Sequence, residues 1–313
     1  MSFFSMMGAF EIGLIFALVA LGVLLSFRVL RFPDLTVDGS FPLGAAVAAI
    51  LIVNDVNPFL ATFIAMLAGA LAGIVTGWLN VRLGIMDLLA SILVMIALYS
   101  VNLRIMGGPN VPLIAEPTVF SIMLPGLMPE YVERPLLLFV IVIAAKLVLD
   151  WYFSTRSGLA MRATGSNPRM ARSQGVATGR SILVGMAISN AMVALAGAMF
   201  AQTQGSADIS MGVGTIVIGL AAVIVGESVL PSRRFVIITL SVILGAILYR
   251  FFITLALNSD FIGLQAQDLN LITAVLVVIA LVLPKLKSRL KRRVAPASKE
   301  SGSESSPLRA YAR

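Results

Sequence analysis

Six ionisable side chains fall within long apolar runs or at their ends: Glu11, Asp87, Lys146, Asp150, Glu227 and Arg250. An ionisable group at bilayer depth is costly, so each is a functional hypothesis by default. Lys146 and Asp150 stand four apart and can pair on one helix face. With Trp151 and Tyr152 beside them, they read as an interfacial anchor. Glu11 and Asp87 lie near run ends, where side chains snorkel to water. Arg250 lies well inside its run; it either meets an anionic group on a substrate or pairs with a carboxylate such as Asp268. Asn102, Asn190, Gln202 and Gln204 are uncharged polar residues that need partners in a bundle. Asn190 reads as interhelical glue, and Gln202 and Gln204 as candidates for a translocation path. There is no Cys and no His. That removes thiolate and imidazole metal sites and the usual catalytic base, so no metal set and no catalytic residue is assigned.

These residues sit in a chain of 313 residues that is 59% hydrophobic and 12% charged. Soluble domains are nearer half apolar and a quarter charged. The apolar runs reach the roughly 20 residues that cross a hydrocarbon core of about 30 Å. They do not alternate apolar and polar residues as a β-barrel does. The fold class is therefore all-α, a polytopic membrane helical bundle of about 8–10 transmembrane helices. The spans read as 10–30, 41–54, 59–81, 85–106, 136–154, 180–203, 213–230, 235–257 and 268–284. On the third, Ala61, Ala65, Gly69, Gly73 and Gly77 form a small-residue stripe that lets helix backbones approach closely.

Two basic segments set the topology. Ser154 to Arg180 holds Arg156, Arg162, Arg169, Arg172 and Arg180 with no acidic residue, and Lys285 to Arg293 holds six basic residues. The positive-inside rule puts both in the cytoplasm. Four spans lie between them, which is consistent. Counting back puts Gly107 to Arg134 outside, the N-terminus outside and the C-terminus inside. Within the first segment, Thr155 to Gly165 predicts a turn leading into a short helix, and Pro168 to Gly175 a second helical turn ending at glycine. From the residues alone, this is a solvated basic loop or a helix for docking a partner. After Val294 the composition predicts a disordered cytoplasmic tail over 294–313. Residues 1–293 read as one membrane domain, with the basic loop at about 154–180. The basic residues cluster at span ends, so no nucleic-acid partner is read from the net charge of +8.

The second span is abnormal. Phe41 to Val53 covers about 20 Å, too short to cross alone. The stretch before it, Phe32 to Ser40, is polar and carries Pro and Gly. Irregular backbone is tolerated at membrane depth only where protein buries it or water reaches it. The residues permit either a broken helix lining a pathway, with Asp34, Thr36, Asp38 and Ser40 facing it, or a plain loop capping a short helix.

The run TRSGLAMRATGSNPRMARSQGV, Thr155 to Val176, resembles the coupling loop of ATP-binding-cassette importer permeases. The branch is that of the branched-chain amino acid and ribose permeases. Arg162, Ala163, Gly165, Asn167, Ala171 and Gly175 fill its patterned positions, flanked by Arg156, Gly158, Arg169 and Arg172. Asp34 to Ser40 resembles the family's D-L-S-V-G-S stretch with one extra residue, which implies the broken second helix. RFPDLTVDGSFPLGAAVAA, YSVNLRIMGGPNVPL and IVIGLAAVIVGE resemble an amino-acid-type subgroup, aromatic substrates included. Ala221-Ala222-Val223 departs from the pattern, which often has glycines and Ser there. The resemblance covers nearly all of residues 10–286. It implies a permease subunit in the bacterial inner membrane that passes a small organic solute, an amino acid, into the cytoplasm. It also implies a second permease copy, an extracytoplasmic binding protein and a separate ATPase carrying ATP and Mg. The sequence holds no G-x-x-x-x-G-K-[ST] phosphate loop, so the chain is expected to bind no cofactor and to hydrolyse no ATP itself. The competing expectation is an ion- or proton-coupled secondary transporter with Glu11, Asp87, Glu227 or Arg250 as relay.

Overall fold

The computed structural model describes residues 3–114, 116–123, 129–232 and 234–257, together with Val275 and Val278. The span expected at 268–284 (those two valines apart), Asp268, the basic run Lys285 to Arg293 and the tail lie outside the described residues.

Among the described residues, eight helices are long and apolar enough to cross a membrane. Helix α1 (Phe3–Val23) continues into a π-helical segment, Leu24–Leu30. Then come α2 (Thr36–Val53), α3 (Pro58–Leu83) and α4 (Asp87–Met106). A short strand β1 (Asn110–Pro112) and a one-turn helix α5 (Val119–Met123) lead to α6 (Glu130–Ser154). Two short helices, α7 (Arg156–Ser166) and α8 (Pro168–Ser173), precede α9 (Thr178–Gln204). Strand β2 (Ser206–Asp208), α10 (Thr215–Val229) and α11 (Phe235–Leu257) follow. The all-α bundle expected from composition is the architecture observed.

Local chemistry sets the ends. Asn57 accepts from the Phe59 amide and Pro58 opens α3, where its missing N–H has no helical partner to lose. The helix stops at Gly84, which takes the left-handed conformation that a Cβ disfavours. The second span differs from its expectation. Only Arg31 to Leu35 is irregular, and the helix begins at Thr36 rather than near residue 41. Its 18 residues rise about 27 Å, nearly a full crossing. The early start follows from Asp34, whose carboxylate accepts the Thr36 amide at 3.0 Å. The polar residues Thr36, Asp38 and Ser40 are tolerated inside this helix because neighbouring helices satisfy them. The interruption expected in this span is therefore confined to the chain before Thr36. Pro42 within it frees the Asp38 carbonyl from its helical donor, and Gly212 packs over that carbonyl.

Helix α9 is the axis of packing. The stripe on α3 lies against it: a Cβ at Gly69 or Gly73 would overlap the Asn190 or Met186 carbonyl. Gly44 of α2 and Gly197 of α9 make equally close contacts with Ala194 and Phe41. Phe16, Phe41 and Phe200 bring α1, α2 and α9 together, with ring centroids 5.5 to 6.2 Å apart. Helices α10 and α11 pack on the other side of α1, with Gly226 under the Ser241 carbonyl. The bundle has two distinct ends because α9 runs from α7–α8 to β2. At one end lie α7 and α8. At the other, β1 and β2 pair antiparallel, Val111 opposite Ala207. The sequence reading had no strands here. Three-residue strands containing Pro112 carry no detectable alternation, and their partners are nearly a hundred residues apart.

Candidate functional site

Five candidate pathway residues converge around the first turns of α2. Asp34 is fully buried; its second oxygen accepts from the Asn190 side-chain amide at 2.8 Å. Asn190 in turn accepts from the Ser40 hydroxyl at 2.7 Å, so one amide of α9 joins Asp34 and Ser40. The Thr36 and Thr76 hydroxyls are 2.8 Å apart and tie α2 to α3. Asn102 of α4 donates to the Gly39 carbonyl at 3.1 Å, while its own buried side-chain oxygen has no partner among the described residues. Asp38 points the other way: it accepts from the Gly214 and Ile216 amides at 3.3 and 2.8 Å and caps the N-terminus of α10. A carboxylate is stabilised there by the orphan amides and the helix dipole. The cluster therefore fixes α2 to four helices at once.

The remaining candidates stand apart. Gln202 is buried at the β1–β2 end, donating to the Thr62 hydroxyl and accepting from the Val119 amide, both at 2.9 Å. Gln204 is exposed beside it. Arg250 is half-buried on α11 next to Gly13 of α1, and its buried Nε has no hydrogen-bond partner among the described residues. Lys146 and Asp150 do pair within α6, but not as a free interfacial anchor. Lys146 is buried and Asp150 half-buried, and Asp150 also accepts from Thr239 of α11 at 2.8 Å. Trp151 alone faces outward. Glu227 forms an ion pair with Arg28 at 2.8 Å, and Asp87 accepts from Asn80, both at the α7–α8 end. Glu11 and Arg250 lie in the opposite half, so these four are not assembled into one relay. Arg28, Thr76 and Ser189, which donates to the Gly22 carbonyl at 2.8 Å, were missed from sequence. Pairs as far apart as Arg28 and Glu227 leave no local signal.

The basic loop is ordered as two helices. Thr155 caps α7 by accepting from the Gly158 amide, and Asn167 caps α8 by accepting from Met170. Gly175 closes the segment with φ +80°. The patterned residues divide by face. Gly158, Gly165 and Ala171 are buried, and so is Met161. A Cβ at Gly158 would overlap the end of α6, and one at Gly165 the Val29 carbonyl of the π-helical segment. Arg156, Arg162, Ala163, Asn167, Arg169 and Arg172 are exposed. Leu159, Ala163 and Ser166 share one outward face at helical spacing, and Arg162 lies at its edge, over the Phe235 ring of α11. Leu159 and Met170 leave half or more of their surface open. The small residues seat α7 directly on the end of α6 and on the π-helical continuation of α1.

The family described as branched-chain amino acid transport system / permease component matches residues 6–283. A tyrosine transport system permease protein of Clostridioides difficile is 36% identical over 279 residues, 89% of this chain and 91% of that one. An uncharacterised protein of Rickettsia prowazekii is 35% identical over 71% of this chain and 76% of its own. The ribose import permease protein of Escherichia coli strain K12 is 25% identical over 81% of this chain and 77% of its own. No solved structure matches the chain significantly. The eight membrane-length helices and a family match over most of the sequence agree: this chain belongs to the permease components of the branched-chain amino acid transport family, as a multi-pass membrane transport subunit.

Proposed function

We propose that this permease passes an amino acid, with aromatic side chains within its range, from an extracytoplasmic binding protein to the cytoplasm. A separate ATP-binding-cassette ATPase, carrying ATP and Mg, drives it. The substrate class rests on the likeness to the tyrosine transport system permease. The chain lies in the bacterial inner membrane with α7 and α8 in the cytoplasm, which the uninterrupted arginines of that segment favour. The N-terminus is then outside. Two copies enclose the pathway. It runs beside α2, where Asp34, Thr36, Asp38, Ser40 and Asn102 gather, with Gln202, Gln204 and Arg250 towards its outer end.

The observation that carries this reading is the division of α7–α8 into a glycine-seated inner face and an outer face of arginines and exposed apolar side chains. That face suits a partner protein, and the seat suits transmission of force. Closure of the ATPase would press on Leu159, Arg162, Ala163 and Arg169 and tilt α1 and α6 through Gly165 and Gly158. Work is transmitted only if the two states of the permease interact differently with the partner.

The test is a double charge reversal, Arg162→Glu with Arg169→Glu, in cells carrying the whole system. Uptake should fall at least tenfold, and co-purification of the ATPase should weaken, while membrane insertion stays unchanged. Full uptake by the double variant would overturn the coupling role. Gradient-driven uptake by the chain alone in proteoliposomes would overturn the ATPase dependence.

A further inference from the structure

A cavity of about 190 Å³ opens where the π-helical segment, α7 and the first turn of α11 meet. Arg28, Arg31, Arg162 and Ser166 line its polar side, and Leu24 and Ile238 its apolar side. Phe235 forms the floor under Arg162, whose guanidinium carbon lies 5.6 Å from the ring centroid. Leu24, Arg28 and Ile238 belong to membrane-length helices, whereas Arg31, Arg162 and Ser166 lie beyond their ends. The cavity therefore straddles the level at which apolar helix gives way to polar chain, where lipid headgroups lie. Among the described residues, the Glu227 carboxylate pairs with Arg28, and no carboxylate lines the cavity beside Arg31 and Arg162. Arg31, which lines the cavity, has a left-handed backbone, φ 58°, rare for a residue with a side chain.

We propose that this cavity binds the phosphodiester headgroup of an anionic membrane lipid. Arg31 and Arg162 would clasp the phosphate oxygens, and the first acyl carbons would lie along Leu24 and Ile238. Guanidinium suits this ligand because its planar fork donates two parallel hydrogen bonds to a phosphate. Basic pockets at this membrane level are a recurring mode of anionic lipid recognition. The volume fits a headgroup and is too small for a helix of a partner protein. The site is independent of the substrate and of the import direction proposed above. If it is filled, the lipid bridges α7 to the end of α1 across the Gly165–Val29 contact.

The experiment is native mass spectrometry of the full-length chain with phosphatidylglycerol, phosphatidylcholine or inorganic phosphate. Phosphatidylglycerol should be retained as one tight adduct in preference to phosphatidylcholine. Arg31→Gln with Arg162→Gln should weaken it at least tenfold, Arg31→Lys with Arg162→Lys should weaken it less, keeping the charge but losing the paired hydrogen bonds, and Arg82→Gln, an exposed arginine at the same end, should leave it unchanged. Equal loss in R82Q would mean general surface charge and overturn the site. Phosphate competing at concentrations comparable to the lipid would reassign the cavity to a free anion. No adduct in the wild type, or adduct lost whenever the ATPase is bound, would assign the arginines to protein contact instead.

Discussion

Asn190 illustrates how a single side chain can hold a membrane fold. The Asp34 carboxylate and the Ser40 hydroxyl are fully buried among the helices, and the Asn190 amide serves both. Asn190→Ala should cost about 1–3 kcal/mol, the range for leaving a buried polar atom unpartnered. Ser40→Ala removes one neutral bond and should cost only about 0.5–1.5 kcal/mol. Thermal unfolding in detergent checks both; the reverse order would show that Asp34 does not depend on Asn190. At the β1–β2 end, Asp208 accepts from the Ser210 hydroxyl and amide and from Asn110, and these bonds hold its carboxyl below the ordinary value of 3.8. A depressed folded value means the contribution is complete above the unfolded pKa and lost as pH falls through the folded one. Amide protection across residues 206–212, taken relative to the intrinsic exchange rate at each pH, should thus be flat from neutral pH down to the ordinary carboxylate range and fall only below it. In Asp208→Asn that acid step should vanish.

Helices here associate through closeness more than through apolar burial, since lipid tails are as apolar as leucine. The stripe on α3 and Gly44 on α2 let three backbones touch around α9. Gly73→Val places a branched side chain where the Met186 carbonyl lies, and should destabilise by at least about 1–3 kcal/mol with loss of folded yield. Gly8→Val meets nothing within 4 Å and should be close to neutral in the same assay. Size-exclusion profiles and melting temperatures separate the two outcomes, and equal behaviour would contradict the close-packing account. The same closeness recurs at Gly165 under Val29, so one device both builds the bundle and seats the arginine-bearing helices.

For the whole molecule, the two ends of α9 differ in kind, arginine helices at one and a paired strand at the other. With no native cysteine, single-cysteine labelling reads orientation without a background. Ile114→Cys, exposed at the β1–β2 end, should react with an impermeant maleimide in intact cells. Ser166→Cys should react only after the membrane is opened. The opposite pattern would invert the proposed topology and remove the cytosolic motor from α7–α8.

The sequence by itself determined the class, eight of the spans, the helical nature of the basic loop and the small-residue stripe. Each is written in local composition or spacing: apolar length, arginine bias, a four-residue repeat, a glycine after a short helix. It also carried the family, because the motifs around Arg162 and Asp34 are contiguous. Only the tertiary structure decided that α2 begins at Thr36, that Asp38 caps α10, that Gln202 bridges α3 and α5, and that Arg28 meets Glu227. Those outcomes depend on which buried polar group finds which partner across the bundle. Such partners lie up to 199 residues apart, and a one-dimensional pattern cannot register them.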